Sequence, residues 1–400
     1  MSANYFPKSE YEERWRKTHD EMARRGIDVA VVWAKGSGAY ERYGNVLWLT
    51  NYYSAHSGQE PDNNFWRARS YAAVVLQRGE TPVLHNDEPL EYKDWIATDR
   101  IEWHLNPIAG VAEDLKRRKV TGKVALVGSD FFPFKYMDEL RRLTPGIEWI
   151  VADDLVGSVS LVKSPRELDA FREAGEVSTL AMNAAMEALV AGKSEAEAAA
   201  LGGAIVLRGG GIPYLIRMCH GKGRRMLDFA RSNLTGFSPD IPEPGDMVRC
   251  WIMGPMKHGY YLDPGRTAVF GKPTKEQKDL ILGCAGIIEG VMAAAKPGVK
   301  LHELGRIGDR LYKEANGGSV QDQAAAQWPL YGHSNDMFFT GGMFGEKTAN
   351  ADEYLPENSI ASAEAFLTWD GVGSAGFEQN YIVTKNGPEL LTRTPMIWFS

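Results

Sequence analysis

Apolar residues along this chain fall into two patterns, short continuous runs and longer stretches at helical spacing. In the first part the two alternate. Asp28 to Ala34 and Asn45 to Tyr52 read as strands. Ser70 to Leu76 and Pro82 to Leu84 read as two more, and Gln77-Arg78-Gly79-Glu80 between them is a hairpin signal. Lys123 to Val127 predicts a further buried strand and Pro133 to Leu143 a helix. This alternation predicts an α/β domain with a mixed sheet. No glycine-rich phosphate loop follows a strand, so no nucleotide site is expected.

The pattern changes near Lys163. Ser164-Pro165-Arg166-Glu167 is a helix start, with Ser as N-cap, Pro at the first helical position and Glu three residues after the cap. Leu168, Phe171, Met182, Met186 and Leu189 then share one face, and Gly192 ends the run. Ser194-Glu195-Ala196-Glu197 opens a second helix with the same box. Strand-like runs follow, ending at Arg266 to Phe270. A second cycle begins at Thr274-Lys275-Glu276-Gln277, and Pro297-Gly298 stops its first helix. Leu301 to Ala315, closed by Gly317-Gly318, is its partner, followed by strands at Ser359 to Thr368 and Phe377 to Thr384. Two halves of this kind predict a duplicated architecture, two curved sheets facing each other, with a cleft between them.

The chain's 400 residues exceed one compact core and predict two domains, 1–160 and 161–400. Apolar content of 44% and charge of 24% are those of an ordinary soluble protein. A net charge of -7 with no basic run argues against nucleic acid or an anionic membrane as partner. No apolar stretch reaches the ~20 residues of a membrane span. Glu10, Glu12, Glu13 and Asp20 do not fit a signal peptide, so a cytoplasmic location is expected. Cys219, Cys250 and Cys284 have no ligand or disulfide spacing and read as core thiols.

Candidate chemistry sits on separate apolar segments. Asp263 stands in Gly259-Tyr260-Tyr261-Leu262-Asp263-Pro264-Gly265-Arg266-Thr267, His333 in Tyr331-Gly332-His333-Ser334, Glu364 in Ser362-Ala363-Glu364-Ala365 and Glu378 in Gly376-Phe377-Glu378-Gln379. Carboxylates are rarely buried unless they pair, hold a metal or act on a substrate. As oxygen and nitrogen donors these four suit one hard divalent ion. Without an ion, close carboxylates repel and at least one pKa rises, which suits acid–base work. His220, in Cys219-His220-Gly221-Lys222, is either a catalytic proton carrier or a loop histidine near a glycine turn. Strand alternation turns one of Tyr260 and Tyr261 to the cleft.

Several of these signals carry a family likeness. Lys163-Ser164-Pro165, Pro244-Gly245-Asp246, Gly259-Tyr260 through Arg266-Thr267, Gly332-His333, Glu364, and Glu378 with Val383-Thr384 match in order and spacing. In them the C-terminal part resembles the pita-bread superfamily of creatinase, prolidase, aminopeptidase P and methionine aminopeptidase (peptidase family M24-like). The N-terminal part is similar to the creatinase/prolidase N-terminal domain. The resemblance implies an α/β N-terminal domain followed by an α+β pita-bread domain.

It also implies a site. The family's peptidases hold two metal ions with Asp, Asp, His, Glu and Glu, the first Asp eleven positions before the second. Counting back from Asp263 places that first ligand on Ile252, which cannot ligate. The further peptidase His is missing from Met337-Phe338-Phe339-Thr340. The chain is therefore expected nearest the metal-free creatinase-type branch, with no cofactor or one divalent ion (Mn, Zn, Fe or Co). Creatinase-like dimers imply a homodimer in which an N-terminal arginine, Arg67 or Arg69, clamps the substrate carboxylate, as a guanidinium fork would.

Together these readings predict a hydrolase of a non-peptide C–N bond in a small molecule, similar to creatinase or ectoine hydrolase. The alternatives are a single-metal Xaa-Pro aminopeptidase or prolidase, a lyase on the same fold, and a non-catalytic pita-bread binding module.

Overall fold

The computed structural model describes residues 5–36, 42–54, 61–89, 93–222, 234–316, 330–337 and 342–399. Gly317-Gly318 and Phe338-Phe339-Thr340, singled out above, lie outside these residues. The chain divides into two compact units, Met1–Ser160 and Leu161–Ser400.

The first unit contains α1 (Lys8–Arg24), β1 (Val29–Lys35), α2 (Gly44–Thr50), β2 (Tyr71–Gln77), β3 (Val83–Asn86), β4 (Ile101–Trp103), α3 (Pro107–Arg117), β5 (Gly122–Val127), α4 (Phe134–Leu143), β6 (Ile147–Val151) and α5 (Asp154–Ser160). Its strands form one mixed sheet in the order β4-β3-β2-β1-β5-β6. β2 and β3 make the expected hairpin, while β3–β4, β1–β5 and β5–β6 are parallel. The core packs Val31, Trp33, Val75, Val111, Leu115 and Leu126 between sheet and helices. Asn45 to Tyr52 is a correction: most of it is the helix α2, not a strand. Val46, Leu47, Trp48 and Leu49 are all buried, and an element apolar on every side carries no period that separates helix from strand. At the end of α1, Arg25 donates to both oxygens of Asp154 on α5, at 2.8 and 2.9 Å.

The second unit contains α6 (Pro165–Val190), α7 (Glu195–Arg208), β7 (Leu215–Gly221), β8 (Met247–Lys257), β9 (Tyr260–Leu262), β10 (Gly265–Val269), α8 (Lys275–Ala294), α9 (Leu301–Asn316), β11 (Gly332–Asn335), β12 (Ile360–Trp369), β13 (Gly373–Thr384) and β14 (Gly387–Leu390). Capping boxes at Ser164, Ser194 and Thr274 start α6, α7 and α8, each joining the cap side chain to the third residue in both directions.

The two halves do not form separate facing sheets. They meet edge to edge in one eight-stranded sheet, β11-β12-β13-β10-β8-β7, with β14 on β13 and β9 on β8. The seam is β10 against β13, where Gly265 pairs with Glu378. Pairing there satisfies backbone groups that two free edges would expose. One face is apolar: Ala361, Ala363, Ala365, Leu367, Ala375, Phe377, Tyr381 and Val383 pack with Leu280, Ile281, Cys284 and Ile288 of α8. Strand alternation turns Ser362, Glu364, Glu378 and Asn380 to the opposite face.

Candidate active site

On that opposite face, neighbouring strands place candidate groups in a row. Trp251 of β8 lies across from Gly265 of β10, Gly265 from Glu378 of β13, and Glu378 from Glu364 of β12. His333 of β11 lies across from Ser362, which lies across from Asn380. Gly332 sets up this end. Its φ of 143° suits glycine, and a Cβ there would overlap the Ser362 carbonyl and the Phe344 ring.

Asp263, His333 and Glu378 converge in the buried interior, with one potential ligand atom from each within 4.8 Å of the others. His333 Nε2 is 3.2 Å from Glu378 Oε1 and 3.6 Å from Asp263 Oδ2. Each carboxylate has one oxygen held and one bare. Asp263 Oδ1 accepts from Asn335 Nδ2 at 2.9 Å, from Ser362 Oγ at 3.0 Å and from Asn380 Nδ2. Glu378 Oε2 accepts from the Trp251 indole N–H at 2.9 Å. Asp263 Oδ2 and Glu378 Oε1 are buried and accept no hydrogen bond. Burial, and then the neighbouring Asp263 carboxylate, push the Glu378 carboxyl well above the usual carboxylate range. His333 Nδ1 lies 3.4 Å from the Ser334 carbonyl, a contact that favours a proton there and leaves Nε2 as the ligating nitrogen.

Glu364 is buried on the same face directly across from Glu378, but its carboxyl is not part of the triad. Two bare oxygens and an imidazole nitrogen, mutually close and walled from water, are a donor set for one divalent cation.

Ile252 does not border this site, contrary to the spacing argument. β8 carries an irregularity between Pro255 and Lys257, where it pairs with β9. That bulge adds a residue to the count back from Asp263. The side chain facing the site is therefore Trp251, whose ring lies so close over Gly265 that a Cβ there would overlap it. It also stacks on Phe366 at 5.3 Å. Ile252 points to the helices, where its Cδ1 fills the space beside Gly202 of α7. An indole N–H, not the Ile252 side chain, lies beside the carboxylates.

His220 is a second correction. It pairs with Val248, four residues along β7 from the Ile216–Ile252 pair, roughly 13 Å at strand rise. Its Nδ1 is 2.6 Å from Glu195 Oε1, and the other Glu195 oxygen takes the Ser238 N–H. This buried pair ties α7 to β7, so His220 is not brought to the triad.

Arg69 is buried in the first unit, with its guanidinium on the Asp87 carbonyl and carboxylate at 2.8 and 3.1 Å. Arg67 is half exposed and pairs with Glu139. Neither guanidinium is uncommitted. Tyr260 faces the helices: its hydroxyl donates to Glu167 and its ring packs on Phe171. Alternation sends Tyr261, also buried, to the other side, and its N–H donates to the Asp336 carbonyl at 3.3 Å. Asp336 in turn pairs with the buried Lys163 at 3.1 Å.

The sequence reading missed Trp251, Asn335, Ser362 and Asn380. Three of them carried a signal. Asn335 and Asn380 stand two residues after His333 and Glu378, and Ser362 two before Glu364, so strand alternation puts each on the site face. Arg266, also buried, spans the seam: it donates to the carbonyls of Gly265 and Glu378 at 2.8 and 2.7 Å, to Gln379 Oε1, and to the carbonyls of Thr394 and Pro395. Burial pushes its pKa down to about 9, which still leaves it charged at neutral pH.

A duplicated helix-backed sheet with a carboxylate–imidazole cluster on the face away from the helices defines the pita-bread class. Residues 169–385, more than half of the chain, match metallopeptidase family M24, and the chain belongs to that family. It is 24% identical over 337 residues to an Xaa-Pro dipeptidase of Pyrococcus horikoshii, covering 80% of this chain and 86% of that one. A hydrolase/peptidase of Sinorhizobium fredii is 25% identical over 415 residues, covering 99% and 98%. The prolidase structure from Pyrococcus horikoshii OT3 superposes with a TM-score of 0.75 at 20% identity, covering 96% of this chain and 99% of that one. None of these findings supports the creatinase-type branch expected from the sequence.

Proposed function

We propose that this hydrolase cleaves peptide C–N bonds, acting as an Xaa-Pro dipeptidase-like enzyme with one divalent ion held by Asp263, His333 and Glu378. The observation that carries the reading is the pair of buried oxygens, Asp263 Oδ2 and Glu378 Oε1, left bare on either side of His333 Nε2. A buried carboxylate without a partner is costly, and a cation removes that cost. The dipeptidase relatives, an Xaa-Pro dipeptidase among them, favour a peptide over the non-peptide bond expected from the sequence. One ion is proposed rather than two, because Ile252, at the position the resemblance gives a first carboxylate ligand, cannot ligate, and the Trp251 indole N–H facing the site only donates.

Bound there, a divalent ion would polarise the scissile carbonyl and lower the pKa of a water to near neutral. The protein's own groups do the rest. Asn335, Ser362 and Asn380 fix Asp263, and Trp251 fixes Glu378, so each presents one defined oxygen. Glu364, outside the triad but across from Glu378, is the proton carrier. It takes a proton from the attacking water as the C–O bond forms and returns it to the nitrogen as the C–N bond breaks.

The test is turnover of Xaa-Pro dipeptides beside guanidino acids and cyclic amidines, with Mn, Co or Zn added to chelator-stripped protein. Ion-dependent dipeptide cleavage is expected. Turnover of a guanidino acid or amidine with the dipeptides inert would overturn the proposal.

A further inference from the structure

A second group of metal-type side chains lies in the first unit, and nothing above uses it. His85 is on β3, Glu102 is its parallel neighbour on β4, and His104 follows β4. His85 Nδ1 is 3.4 Å from His104 Nε2 and 4.0 Å from Glu102 Oε2, and His104 Nε2 is 3.7 Å from the same oxygen. A triangle with those sides has its centre about 2.2 Å from each corner, against the ~2.0–2.2 Å of zinc bonds to His nitrogen and carboxylate oxygen. We infer that His85, Glu102 and His104 form a binding site for one zinc-class divalent ion, separate from the catalytic face.

Three further observations prepare these groups as ligands. His85 is fully buried, and its other nitrogen is 3.2 Å from Asp114 Oδ2, which fixes the tautomer with Nδ1 bare. Arg117 holds Glu102 Oε1, leaving Oε2 turned to the imidazoles, while Arg117 and Arg118 hold the outer oxygen of Asp114. The His104 ring lies against Gly110 of α3, where any Cβ would overlap it, so its place depends on that glycine. The Glu102 and His104 side chains are 29% and 22% exposed, so an ion has a path in and a position open to water. Two nitrogens and one oxygen suit zinc, cobalt or nickel rather than calcium or magnesium. β4 is a three-residue strand at the sheet edge, and the ion would staple it to β3.

The same spacing also fits a plain hydrogen bond between the two imidazoles, and the experiment separates the two. Full-length protein is stripped with chelator and dialysed against zinc chloride, and bound zinc is measured by plasma emission. Wild type is expected to hold two equivalents, His333→Ala one and His104→Gln one, and Glu102→Gln serves as a second variant with a different fold risk. Cobalt-loaded His333→Ala should show visible absorption of a four-coordinate site, lost on adding His104→Gln. No tight equivalent in His333→Ala, or unchanged zinc in folded His104→Gln and Glu102→Gln, would overturn the site. Should wild type and His333→Ala both hold one equivalent, this site stands and the catalytic ion fails.

Discussion

Trp251 fixes the orientation of Glu378 by holding one of its oxygens, and the two must be read together. Trp251→Phe keeps the ring on Gly265 and Phe366 but removes the N–H, leaving a buried carboxyl oxygen unmet. A loss of about 1–3 kcal/mol in stability is expected by denaturant titration. Ion affinity should fall ~10–100-fold, the range for removing a partner of a metal ligand. Glu364→Gln separates binding from proton transfer: kcat should drop ~100–10,000-fold while the catalytic ion is retained. His333→Ala should lose both. The site was half legible at this scale. Asp263, His333 and Glu378 could be picked out because a carboxylate on an apolar segment is conspicuous. Trp251 could not, because the bulge that turns it inward arises from pairing with β9 and leaves no mark in a residue count.

At the scale of elements, short-range signals served best. The boxes at Ser164, Ser194 and Thr274 are written within four residues each, and all three form. Removing one, as in Ser194→Ala, should cost about 1 kcal/mol in thermal unfolding. The β3–β4 pairing was invisible because it joins His85 to Glu102 through parallel neighbours, a tertiary fact. The α1–α5 join has a pH signature. Arg24, with Arg25, hydrogen-bonds Glu21 and holds it down at about 2, below its ordinary 4.5. A depressed carboxyl stabilises the fold above its unfolded pKa and loses that contribution as pH falls. The loss should therefore run from about 4.5 down to about 2, and Glu21→Gln should flatten the acid-unfolding curve across that window.

At the scale of the molecule, two compact units carry two separate donor clusters. Zinc at a hundredfold excess over its Kd should stabilise the unit it binds by about 2.7 kcal/mol. In calorimetry, His333→Ala should cancel the gain for the second unit and His104→Gln that for the first. The division into an α/β unit and a helix-backed sheet was readable from the change of rhythm near Lys163. The single continuous sheet was not, since its seam rests on one register pair far apart in sequence.

Arg266 extends that seam to the far end of the chain. Because its guanidinium draws acceptors from Gly265, Glu378, Gln379, Thr394 and Pro395, the segment at Thr394 works as a latch on the strands that carry Glu378. Trimming the chain before Thr394 would strand a buried cation with two of its five acceptors gone. Damage at Thr394 and Pro395 would then register first at the candidate site.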